Sequence, residues 1–292
     1  MGFGAPSSGR PTPTRAATYL QTGAIFKQGS GMPSPPPAEP PSPPVLSIDG
    51  ARATIRLNRP RHHNRIETGD IAALCEHLAR IEKERSIRVL VLTATGRTFC
   101  AGFNLEELAP DRYDETALGF DRMVDQLEAL RVPTVAAIGG SLYGGGTDLA
   151  LACDFRIGVS GIELMMPASR IGVHYYPGGL RRYIARLGLG PAKRLFLTAE
   201  KTDAEELLRI GFLDALVPAG ELVARVDVLA ERLAAAAPIA VQGMKRALNN
   251  IAAGTADEAA ITRAWRESMR SADVAEGLAA HAEKRVPKFR DS

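Results

Sequence analysis

The sequence predicts an α/β protein: a mainly parallel sheet with helices packed outside it, followed by a helical C-terminal region. Three observations carry that expectation. Strand-like and helix-like runs alternate from residue 45 to about residue 200, which is how β-α-β units are written. A glycine turn joins a β-rich run to a helix at 144–146. From Pro191 onward the pattern is almost wholly helical.

The elements follow in order. Residues 45–48 and 54–57 alternate like two strands around an Asp49-Gly50 hairpin turn. Over 70–85, apolar groups at Ile71, Leu74, Leu78 and Ile81 keep the three-to-four spacing of an amphipathic helix. A strand at 89–92, a helix at 114–130, a strand at 135–138, a helix opening near Gly145 and a strand at 155–159 come next. The long helices of the last third are expected at 222–233, 239–251 and 256–269. This divides the chain into an extension (1–44), a core that carries the site (45–200) and a helical capping and oligomerisation region (201–292).

Composition bounds the function. The 292 residues are 45% hydrophobic and 24% charged, ordinary for a globular protein. The net charge is +3, and the first 44 residues account for most of it (Arg10, Arg15 and Lys27 against Glu39). The rest carries about +1, so no nucleic-acid footprint is expected. No apolar run is long enough to span a bilayer. Cys75, Cys100 and Cys153 show no CxxC spacing, which suits a reduced, cytoplasmic setting and no metal site. Positions 33–44 hold eight prolines among twelve residues. Such a segment buries too little apolar surface to offset its ordering entropy, so 1–44 is expected to be disordered. Its few acids and scattered Arg and Ser faintly resemble a transit peptide, with Met32 as an alternative start.

The chemistry centres on two loops. Gly144-Gly145-Gly146-Thr147-Asp148 follows the run at 134–138 and opens a buried helix. The first N–H groups of a helix have no intrahelical partner, and with the helix dipole behind them they suit an oxygen gaining negative charge. Thr98-Phe99-Cys100-Ala101-Gly102-Phe103-Asn104-Leu105 follows the run at 88–94. Together the two loops resemble the crotonase superfamily, the enoyl-CoA hydratase/isomerase family. Ile55-Arg56-Leu57-Asn58-Arg59-Pro60 with Asn64, Thr198-Ala199-Glu200 with Gly211-Phe212-Leu213-Asp214, and the ending at 282–289 are similar to family motifs in the same order. The resemblance covers about 45–292.

That resemblance implies a spiral of β-β-α repeats capped by C-terminal helices, assembled as a homotrimer or a dimer of trimers. It implies an acyl-CoA substrate and no further cofactor, with coenzyme A entering as the substrate thioester. The N–H groups of Phe103 and Gly145 would form an oxyanion hole, and Ala101, Gly102, Gly144, Ala168 and Tyr175 would line the acyl site. Arg61, Lys284 and Lys288 would meet the CoA phosphates. Cys100 is expected to pack as a small hydrophobe rather than act as a nucleophile.

The chain departs from the family at both carboxylates. Hydratases of the family flank the double bond with two glutamates. The first position holds Asp148, shorter by one methylene, roughly 1.5 Å of reach. Asp148 is the leading candidate acid/base; as a bare helix N-terminal acid it would contribute about 0.3–1 kcal/mol. The second position, after Pro167, holds Ala168, which can neither give nor take a proton. The loop that follows, Val173-His174-Tyr175-Tyr176-Pro177-Gly178-Gly179, lies where some relatives place a catalytic aspartate. His174 and Tyr176 are therefore candidate catalytic residues, with pocket-narrowing bulk as the alternative. The expected function is hydration or isomerisation of an enoyl-CoA. The alternatives are decarboxylation or hydrolysis of a branched or cyclic acyl-CoA through the His174–Tyr176 loop, and acyl-CoA binding without catalysis.

Overall fold

The computed structural model describes residues 43–108 and 119–290. Most of the extension expected over 1–44, and the first part of the helix expected over 114–130, lie outside the described residues. The described residues open with β1 (Val45–Asp49), which turns at Gly50 and pairs antiparallel with β2 (Arg52–Leu57). β3 (Val89–Ala94), β5 (Thr134–Ile138), β7 (Phe155–Val159) and β10 (Ala215–Val217) then add in parallel, giving a six-stranded sheet ordered β1-β2-β3-β5-β7-β10. β5 is buried at every position, as expected of a parallel strand covered on both faces. A second sheet, β4-β6-β8-β9, is built from β4 (Thr98–Cys100), β6 (Ser141–Tyr143), β8 (Glu163–Met165) and β9 (Thr202–Asp203).

From β3 to β8 successive strands alternate between the two sheets, which is the crotonase spiral expected above. β9 and β10 complete the two sheets from beyond residue 200, so the boundary drawn at 200 passes through both. α1 (Thr68–Lys83) buries Ile71, Leu74, Leu78 and Ile81, the stripe its spacing announced. Each such side chain contributes about 1.5–3 kcal/mol on burial. Its first turn is closed by a reciprocal cap between Glu67 and Asp70. After the short α5 (Leu189–Lys193) and α6 (Ala204–Arg209), α7 (Leu222–Ala234) lays Leu222, Val226 and Ala230 on the core. α8 (Pro238–Ala252) and α9 (Glu258–Met269) match the expected helices, and α10 (Ala272–Glu283) was not anticipated.

Candidate active site

Three structural units meet at the site. The first is the loop after β4. Asn64 Nδ2 donates to the carbonyls of Thr95 and Thr98 at 2.7 Å each, and its Oδ1 accepts from Arg59 N at 2.8 Å, clamping the chain ahead of that loop. Ile66 N then donates to Gly102 O (2.8 Å), and Asn104 N donates to Ile66 O (2.9 Å). Backbone groups alternate sides in an extended segment, so Phe103 N–H faces away from Ile66. Among the described residues it meets no backbone acceptor.

The second unit is the turn from β6 into α3 (Gly145–Leu151). Gly144 N donates to Met165 O (3.0 Å), which ties the turn to β8 and leaves Gly145 N–H without a backbone acceptor among the described residues. The two loops touch. A Cβ on Gly102, whose φ is +89°, would sit 2.8 Å from Gly145 N, so only glycine permits both the conformation and the approach. A Cβ on Gly145 would in turn lie 3.5 Å from Phe103 N, so the two amides stand close together on the wall of a cavity of about 330 Å³.

The third unit is the segment leading into α4 (Pro177–Leu187), with Tyr176 at its N-cap and Pro177 at its first position. Tyr175 and Tyr176 stack at 4.5 Å between ring centroids, and the edge of Tyr176 faces Phe120 at 6.4 Å. The first turn of α4 passes so close that a Cβ on Gly179 would fall 2.2 Å from Tyr175 Cε1 and 3.1 Å from Asp148 Oδ2. This is the physical reason for the second glycine of the Pro-Gly-Gly turn.

Asp148 is fully buried, and Arg182 of α4, also fully buried, holds it in a two-pronged pair. Nε donates to Oδ1 at 2.9 Å and Nη2 to Oδ2 at 3.1 Å. Oδ2 also accepts the Tyr176 hydroxyl. Arg182 Nη1 continues to Asp125 (3.0 Å) and Glu128 (2.7 Å) on α2 (Phe120–Ala129), and Glu128 accepts Arg181 as well. Desolvation alone would weaken Arg182's hold on its proton, but the Asp148 contacts outweigh it and its pKa is raised. Burial, then the Asp148 charge and hydrogen bond, push the Tyr176 phenol well above its usual range, so it stays neutral. Burial, with the Asp148 charge behind it, does the same for Tyr175 and Tyr183.

The structure brings Ala101, Phe103, Gly144, Gly145, Ala168, His174, Tyr175 and Tyr176 to the walls of one cavity. Gly102 lies just behind Phe103. Asp148 lines no part of the cavity, and the Tyr176 hydroxyl is its link toward that space. His174 is exposed at the rim; its Nδ1 donates to the Tyr175 carbonyl (2.8 Å), which leaves Nε2 as an acceptor. Glu163, five positions before Ala168, faces elsewhere and accepts Tyr143 and Lys201. Arg61, Lys284 and Lys288 are exposed and away from the cavity wall. Cys100 is buried beneath the site, and burial raises its thiol to about 12.

Sequence reasoning missed three participants. Arg182 sits beside Arg181 in an amphipathic helix, and nothing in that pattern separates the fully buried arginine from the half-buried one. Phe120 and Asp121 line the cavity from α2, beside a segment outside the described residues.

The comparisons agree with this architecture. The enoyl-CoA hydratase/isomerase family model matches residues 48–292. The chain is 35% identical over 242 residues to the putative enoyl-CoA hydratase/isomerase YngF of Bacillus subtilis, covering 80% of this chain and 92% of that one. It is 29% identical to the short-chain-enoyl-CoA hydratase of Clostridium acetobutylicum, covering 82% and 95%. Among solved structures, an enoyl-CoA hydratase from Bacillus anthracis superposes with a TM-score of 0.77 at 30% identity, covering 86% of this chain and all of that one. One titled enoyl-CoA hydratase/carnithine racemase, from Magnetospirillum magneticum, gives 0.80 at 30% identity, covering 86% and 96%. A match over so much of the length, joined to the paired glycine loops, places this chain in the enoyl-CoA hydratase/isomerase family.

Proposed function

We propose that this protein binds the thioester carbonyl of an acyl-CoA between the N–H groups of Phe103 and Gly145 and hydrates or isomerises an enoyl-CoA there. The observation that carries this reading is the adjacency of two amide donors, both without backbone acceptors among the described residues, on the wall of a largely apolar cavity. An enolate oxygen in that position gains about 2.7–4 kcal/mol from each preorganised donor. The positive end of α3 adds to it. The Clostridium relative's name, a short-chain-enoyl-CoA hydratase, supports the same reaction class.

Within this reading Asp148 positions rather than transfers. Both its oxygens are taken by Arg182, and its open direction is filled by Tyr176. The Tyr176 hydroxyl, which donates its hydrogen bond to Asp148, leaves its oxygen lone pairs free to accept and suits holding a water against the substrate. The CoA phosphates would meet cations beyond the cavity, for which Arg61, Lys284 and Lys288 are the candidates. Exposed Met244, Leu248 and Ile251 on α8, with Trp265 and Met269 on α9, support burial of these helices in a homotrimer or dimer of trimers.

Decarboxylation is favoured by the absence of a second carboxylate at Ala168, since loss of CO₂ needs the oxyanion hole but no base. It is disfavoured by Asp121 on the cavity wall, whose charge repels a substrate carboxylate. The test is loss of the conjugated enoyl absorbance of crotonyl-CoA. Turnover supports hydration, whereas bound but unchanged thioester returns the choice to isomerisation, to decarboxylation or hydrolysis, or to binding alone.

A further inference from the structure

We propose that Asp121 is the carboxylate that moves the substrate proton in this cavity, a role that rests on the enoyl-CoA reading above. Among the described residues it is the only carboxylate on the cavity wall, which it shares with Gly145, His174 and Tyr176. The two positions where a carboxylate was sought supply none: Asp148 is shielded behind Tyr176, and Ala168 has no ionisable group.

The placement follows from helix geometry. Asp121, Asp125 and Glu128 recur at i, i+4 and i+7 on α2 and so lie along one stripe. The lower two end on Arg182, against the first turn of α4; a Cβ on Gly178 would come within 2.6 Å of Asp125 Oδ1. One turn back along the axis, about 5.4 Å, the same stripe reaches the cavity at Asp121. No ion pair or side-chain hydrogen bond engages Asp121 among the described residues. The residue before it, Phe120, rests its ring against the oxyanion turn, since a Cβ on Gly145 would lie 2.8 Å from Phe120 Cζ. The first turn of α2, which carries Asp121, is therefore packed against the turn that holds the Gly145 amide.

The chemistry balances with water as the co-substrate. As the water oxygen bonds to the β-carbon, one water proton passes to Asp121. The π electrons move through the α-carbon onto the thioester oxygen, held by Phe103 and Gly145. The enolate then collapses, and its α-carbon takes the proton back from Asp121. Water has been added across the double bond, and the carboxylate is restored.

The experiment is crotonyl-CoA hydration by the full chain as wild type, Asp121→Asn and Asp121→Glu, with melting temperatures alongside. Asp121→Asn is expected to lower kcat by about 10²–10⁴-fold with KM little changed, and to remove the acid limb of the kcat–pH profile. Asp121→Glu keeps the charge at the helix N-terminus and shifts the carboxylate by one methylene, so it is expected to recover part of the rate. Wild-type kcat in both variants, with only a lowered melting temperature in Asp121→Asn, makes Asp121 a first-turn helix acid; that overturns the inference and leaves the enoyl-CoA reading standing. A wild type that binds crotonyl-CoA but leaves it unchanged overturns the inference, because no water is added for Asp121 to deprotonate, while isomerisation of an enoyl-CoA still stands.

Discussion

Replacing Arg182 with methionine tests the buried charge network on which the site is built. Three carboxylates depend on this guanidinium, but not equally. The Asp125 side chain is 51% exposed and can be rehydrated. Glu128 keeps Arg181. Asp148 is 0% exposed and would retain only the Tyr176 hydroxyl. The loss therefore falls mainly on one uncompensated buried charge, and breaking such a pair costs about 3–5 kcal/mol. At about 2–4 °C per kcal/mol for a chain of this size, the melting temperature of Arg182→Met should fall by about 6–20 °C. Asp148→Asn in the same background removes the charge, and a double-mutant cycle read by thermal or urea unfolding should show coupling well above 0.5 kcal/mol, the usual limit of additivity. A deficit under about 1 kcal/mol for Arg182→Met, or additivity within about 0.5 kcal/mol, would refute the reasoning.

Two other consequences are open to measurement. Gly102→Ala forces a Cβ to within 2.8 Å of Gly145 N and 2.9 Å of Tyr143 O at a positive φ; losing one donor's alignment should cost about 10²–10³ in kcat, and wild-type turnover in this variant would count against Gly145 N–H as a donor. Burial raises Tyr143 to about 12 and pushes Tyr175, Tyr176 and Tyr183 well above the ordinary phenol, whereas all four ionise near 10 once unfolded. Protonation of these groups stabilises the fold fully below pH 10. Above that the unfolded chain releases protons that the folded chain keeps, so stability should fall by up to about 1.4 kcal/mol per pH unit for each tyrosine. A native alkaline titration in which all six tyrosines ionise together near pH 10, with the fold intact, would contradict this.

Much of the architecture was legible because it is written in local patterns. The Ile71-Leu74-Leu78-Ile81 stripe and the buried run at 134–138 announce a helix and a parallel strand without any long-range information. The glycine loops were legible for a similar reason, since close backbone approach excludes other residues. α10 escaped because its two buried positions are Asp273 and Ala280, which write no apolar stripe. The working partner of Asp148 could not be read at all: Arg182 lies 34 positions away, and only the packing of α4 on α3 brings the two together. Asp121 was hidden inside a helix expected to begin at 114. With α2 starting at Phe120, it stands in the first turn and reaches the cavity.

The central claim is that the Phe103 and Gly145 amides polarise a thioester carbonyl, and the absorbance spectrum of a bound dienoyl-CoA reports that polarisation without requiring turnover. The account predicts a red shift of the conjugated thioester band on binding to the wild type, diminished in Gly102→Ala. A thioester that binds with an unshifted band would contradict it.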